Sequence, residues 1–88
     1  MIKINDLVCL ALKQSIASQH CICGKVTEVN INGIELIELD LMTNIYSSYE
    51  LFVNWKNILG AIMVFNEDEL ESLRTFYVNH SKSFNEEE

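Results

Sequence analysis

Apolar and polar residues alternate with a period of two over much of the first two-thirds of the chain and change to a helical period near its end. The run DLVCLAL (6–12) is compact and apolar and suits a buried strand, although a short helix segment carries the same pattern. KQSIASQH then breaks it. In CICGKVTEV (21–29), Ile22, Gly24 and Val26 fall on one side and Lys25 and Thr27 on the other, as a half-buried strand requires. Gly24 in mid-strand predicts a sharp bend or a close approach of backbone. NING (30–33) supplies residues that tolerate the positive φ of a hairpin turn. The third strand, IELIELDL (34–41), buries Ile34 and Leu36 and then changes phase to Ile37, Leu39 and Leu41, the mark of a bulge or strong bend. MTNIYSS connects it to a fourth strand, YELFVN (49–54). WKN is a very short break before a fifth, ILGAIMVF (58–65).

The pattern changes at Asn66. Asn66 with Glu69 has capping-box spacing, and Glu67 and Asp68 suit the positive end of a helix. Leu70, Leu73, Phe76 and Tyr77 share one helical face, while Glu71, Arg74 and Thr75 point away. The spacing predicts a packed helix ending near Asn79. The expected organisation is a β unit over 1–65, an amphipathic helix over 66–80 and a disordered acidic tail over 81–88.

Composition sharpens this picture. Eighty-eight residues make one domain. A hydrophobic content of 49% and a mean hydropathy of +0.11 are high for so short a chain and point to surface buried between copies. The formal charge of −7 argues against duplex DNA, but Glu67, Asp68, Glu69, Glu71 and Glu86 to Glu88 lie in the last quarter, so a neutral or basic face elsewhere is allowed. No apolar run is long enough to span a bilayer, and MIKINDLVCLAL lacks the form of a secretory signal, which predicts a cytoplasmic protein without membrane contact. In that compartment the three cysteines are expected to stay reduced. HCIC (20–23) is a poor zinc knuckle, so Cys9, Cys21 and Cys23 read as small buried hydrophobes. His80 is expected in solvent. No catalytic constellation or phosphate-binding glycine loop is present, and neither an enzyme nor a cofactor is expected.

Five short, bent strands in a meander, with one turn before the last, form the pattern of a mainly β fold: a small, strongly bent β-barrel with a C-terminal α-helix. GKVTEVNINGIEL resembles the first motif of Sm-like proteins, with Gly24, Val26, Val29 and Asn30 in the motif positions. VNWKNI matches the spacing of the second motif, with Val53 and Ile58 at its ends, and the likeness covers roughly residues 6–65. The acidic, proline-free, Asn- and Ile-rich composition is most similar to divergent Sm-like proteins of marine phages, which implies a host cytoplasm. The resemblance implies a homo-oligomeric ring joined through the fourth and fifth strands. The sparsely charged YELFV and ILGAIMVF point independently to edges that pair with something. Where Sm proteins that bind uridine-rich RNA carry a stacking aromatic, a reading asparagine and an arginine, this chain has Asn32, Ile34 and Asn54.

The stretch VNWKNILGAI (53–62) therefore has two readings. In one, Asn54, Lys56 and Asn57 line the pore of a ring and Trp55 offers a face to an unpaired base, with Asn30 and Asn32 opposite, so that the chain binds single-stranded RNA. In the other, Asn and Lys are what a turn exposes and Trp55 packs into the barrel or a neighbouring subunit. A third class stays open: an acidic protein-binding adaptor, or a decoy presenting carboxylates in place of phosphates.

Overall fold

The computed structural model describes residues 1–64 and 67–87, without the side chains of residues 67, 77 and 80–87. Five strands, β1 (Leu7–Ile16), β2 (Gln19–Val29), β3 (Gly33–Asp40), β4 (Ile45–Asn54) and β5 (Ile58–Val64), form one antiparallel sheet in the order β4-β3-β2-β1-β5. A single 3₁₀ turn, η1 (Trp55–Asn57), joins β4 to β5, and a helix, α1 (Glu67–Glu87), follows. The mainly β reading holds. The sheet is not closed, because β4 and β5 are its two edges and do not pair with each other.

The sheet is nevertheless strongly curled. Laid flat, its outer strands would stand about 19 Å apart, four interstrand spacings. Here three residues of 3₁₀ helix, about 6 Å of rise, join the end of one edge to the start of the other. One cluster on the concave face draws on every strand: Val8, Leu10 and Leu12, Ile22 and Val26, Ile34 and Leu36, and Val53, with Ile58 and Met63 packed against it. Curvature is what lets both edges reach the same core.

The opposite face carries a second cluster of Cys9, Cys23, Leu39, Leu41, Val64 and Leu70, which α1 covers with Leu70 and, at its border, Leu73. This explains the phase change in β3. Its alternation stays regular, but the buried side switches from the concave face at Ile34 and Leu36 to the helix face at Leu39 and Leu41. The ladder irregularity lies opposite, where Ile37 pairs with Glu50 but Leu39 pairs with Tyr46, so the additional residues belong to β4. A Cβ on Gly24 would strike the Ile37 carbonyl oxygen and lie 2.8 Å from Leu36 Cδ1, so the glycine permits a close approach of β2 to β3.

Several expectations change. The polar stretch after Leu12 is no break: β1 and β2 continue to a two-residue hairpin at Ala17 and Ser18, both at positive φ, with Ile16 paired to Gln19. The NING turn uses no positive φ at all. Asn30 Oδ1 accepts from the amides of Asn32 and Gly33, and the Asn30 amide bonds the Gly33 carbonyl. β4 begins at Ile45, inside the expected connection. Helix α1 extends past Asn79 to Glu87. Phe76, assigned to its packed face, is exposed. Arg74, assigned to solvent, instead ties the helix to the β3–β4 turn: Nε donates to the Leu41 carbonyl and an Nη to Asn44 Oδ1, and it pairs with Glu71. Asn66, the expected cap, and the side chains of Tyr77 and His80 lie outside the described residues.

The cysteines also depart from expectation. Cys9 stands directly opposite Cys23 in the β1–β2 register, and the two are joined by a disulfide buried under α1. The expectation of reduced thiols followed from compartment alone, whereas strand register brings these two sulfurs together. Cys21 is free and exposed rather than buried.

Candidate nucleic-acid interface

The six residues singled out in the two turns come together at one end of the sheet. The Trp55 amide donates to the Asn32 carbonyl (3.1 Å) and its indole Nε1 to the Asn30 carbonyl (2.8 Å), so the β2–β3 turn is docked on η1. Gly33 sits at this junction, where a Cβ would meet the Val53 carbonyl oxygen. Trp55 belongs to neither buried cluster and is 37% exposed as a residue. It therefore rests on the turn and keeps one part of its surface open.

Most of the asparagine groups are committed to the fold. Asn30 Oδ1 closes its own turn. Asn54 caps η1, its Oδ1 accepting from the Lys56 amide at 2.8 Å. Asn57 forms a reciprocal pair with β1: Oδ1 accepts from the Gln14 amide at 2.8 Å and Nδ2 donates to the Gln14 carbonyl at 3.1 Å. This latch holds the turn between the two sheet edges against β1. The groups left for a ligand are the Asn32 side chain, the side-chain amide nitrogens of Asn30 and Asn54, the exposed part of Trp55 and the Lys56 ammonium, which has no ion-pair partner among the described residues.

Beside this surface lies a groove of about 480 Å³ lined by Lys13, Gln14 and Ile16 of β1, Phe52 and Asn54 of β4, and Lys56 and Asn57. Lys13, Gln14, Ile16 and Phe52 were not singled out in the sequence. Their membership depends on the extension of β1 beyond Leu12 and on the curl that brings its end to β4. No carboxylate lines the groove.

A larger cleft of about 990 Å³ lies between the β1–β2 hairpin tip and the β3–β4 turn. It holds His20, Cys21 and Cys23 together with Glu38 and Asp40. Among the described residues no group of three or more His, Cys, Asp or Glu side chains is arranged to hold a metal ion. Among them, too, no helix is long and apolar enough to cross a membrane.

A third feature is a row of carboxylates on the sheet. Glu28 pairs with Glu35 across β2 and β3, and Glu50 of β4 lies next to them. The Glu35 carboxyl is raised above its ordinary value of 4.5, chiefly by a hydrogen bond with Glu50, with desolvation and the charges of Glu28 and Glu50 acting in the same direction. Comparison with known family models, curated proteins and solved structures finds no match.

Proposed function

We propose that the chain is a non-catalytic Sm-like protein, its curled sheet acting as a small β-barrel, that assembles edge to edge into a homo-oligomeric ring and binds single-stranded RNA at the end of the sheet where the two turns meet. The observation that carries the reading is the docking of the 30–33 turn on η1 through both nitrogens of Trp55, which sets a partly exposed indole beside an unpaired lysine. An aromatic surface next to a cation suits an unpaired base and its phosphate. Assembly is supported by the two unpaired edges: β4 exposes Ile45, Tyr46, Tyr49 and Phe52, and β5 exposes Leu59 and Ile62. Repetition around a ring gathers one Lys56 per copy into a local positive patch, while the total charge grows more negative with each copy.

Trp55→Ala combined with Lys56→Ala is expected to weaken binding of an unpaired oligonucleotide in an anisotropy titration while leaving solution mass unchanged. An unaltered affinity in the double variant removes the site. One observation favours a second reading, an acidic adaptor or phosphate mimic: the Glu28–Glu35–Glu50 row keeps like charges adjacent at a cost to the fold. Under that reading the wild type ignores RNA and binds a basic protein surface.

A further inference from the structure

The groups named so far hold the turns together better than they read a base. Asn30, Asn54 and Asn57 spend their side-chain oxygens on backbone amides, and Asn57 also spends its amide nitrogen. A pocket that discriminates bases needs unspent donors and acceptors aimed at a base edge. The adjoining groove is built differently. Its two walls each carry a lysine, Lys13 from β1 and Lys56 from η1, and neither has an ion-pair partner among the described residues. Phe52, 46% exposed, and Ile16 line the same groove. In a chain with 6 basic and 13 acidic residues, two lysines line one concavity with no carboxylate in its lining, which favours an anion there, and Glu35, the cross-strand partner of Phe52, is the acidic residue that borders it. The larger cleft has the opposite sign, with Glu38 and Asp40 in its wall.

We infer that this groove is the path of a single-stranded polynucleotide, with Lys13 and Lys56 each neutralising a phosphate and Phe52 stacking on a base between them. The inference rests on the RNA-binding reading above and deepens it by fixing the route and the kind of recognition. Recognition is led by the backbone and by stacking, so it is tolerant of sequence: every base presents a π face, and the side-chain oxygens of Asn30, Asn54 and Asn57 are already bonded. A duplex is excluded, because stacking on Phe52 requires an unpaired base.

The test is an anisotropy titration of fluorescein-labelled oligouridylate and oligoadenylate with the full chain over a range of salt, for the wild type, Lys13→Ala, Lys13→Arg and Lys25→Ala. Lys25 is exposed on β2 and lies outside the groove. Each phosphate neutralised on a single strand contributes about 0.7 to the slope of log affinity against log salt, which corresponds to about fivefold in affinity at about 0.1 M salt. Lys13→Ala is expected to lose about that factor and about that much slope, Lys13→Arg to keep both, and Lys25→Ala to match the wild type. The two homopolymers are expected to bind within about threefold of each other, as stacking-led contacts do. Phe52→Leu is expected to weaken both equally, with an unchanged salt slope. If the wild type binds and Lys13→Ala leaves the slope unaltered, the groove is not the path, while the RNA-binding reading stands. If the wild type binds neither oligonucleotide, the reading itself falls and the groove with it.

Discussion

Asn57→Ala cuts the latch between η1 and β1. It removes two hydrogen bonds, from the Gln14 amide to Asn57 Oδ1 and from Asn57 Nδ2 to the Gln14 carbonyl, that join positions 43 residues apart. A net 0.5–1.5 kcal/mol for each bond gives about 1–3 kcal/mol. Both bonds are exposed, so water partly replaces them and the lower half of that range, about 1–2 kcal/mol, is the working figure. For a domain of this size that lowers Tm by about 5–15 °C. Asn57→Asp is expected to recover little, because it keeps the acceptor for the Gln14 amide but turns a carboxylate oxygen towards the Gln14 carbonyl. Urea unfolding followed by circular dichroism measures the loss, and acrylamide quenching of the single tryptophan reports whether the turn loosens in the folded state. A variant within about 0.5 kcal/mol of wild type, the range of an ordinary surface change, with unchanged quenching, refutes the claim that this pair holds the turn against β1.

Four further outcomes follow from the same structure. Glu35→Gln is expected to raise Tm at neutral pH. The folded-state carboxyl is raised, so its stabilising effect is fully present below the ordinary value of 4.5 and is lost as pH rises through the folded value; the variant's advantage in a thermal scan should therefore vanish on acidification below 4.5. Gly24→Ala drives a methyl against the Ile37 carbonyl and is expected to cost about 1–3 kcal/mol in urea unfolding. Gly60→Ala meets nothing within 4 Å and is expected to be neutral or stabilising by up to about 1 kcal/mol. The Cys9–Cys23 bond, spanning a sequence separation of 14, is expected to contribute about 3 kcal/mol that reductant abolishes in the wild type but not in Cys9→Ala. Three alkylatable thiols before reduction, with no change in midpoint, show that the bond does not form in solution.

The sequence was most readable where one face of a strand is buried and the other wet. Val26 against Lys25 and Thr27 marked β2, and the short WKN interruption marked η1 because only a tight turn fits between apolar runs so close together. It was least readable where both faces are exposed. Lys13 to Ser15 and Ser18 to His20 show no apolar alternation because all of them are exposed near the hairpin tip, so the extension of β1 and β2 left no trace. The positive φ at Ala17 and Ser18 had no glycine or asparagine to announce it. That silence concealed Lys13 and Gln14, and with them one wall of the groove. Arg74 misled for another reason: a helix-face assignment treats a guanidinium as solvent-seeking, whereas the carbonyl of Leu41 and the side chain of Asn44 give it partners that only the fold supplies. The two turns were the opposite case. Asn30, Asn32 and Asn54 to Asn57 do share one surface, but their side chains mostly build it, and the charge that an RNA strand requires stands beside them.

Whether the chain forms a ring that holds unpaired RNA is read from light scattering of the purified protein with and without a short oligouridylate. The expected result is a closed multiple of the 10.1 kDa chain that gains the mass of bound RNA and loses that gain at high salt without dissociating. A monomer or dimer whose mass RNA does not change contradicts it.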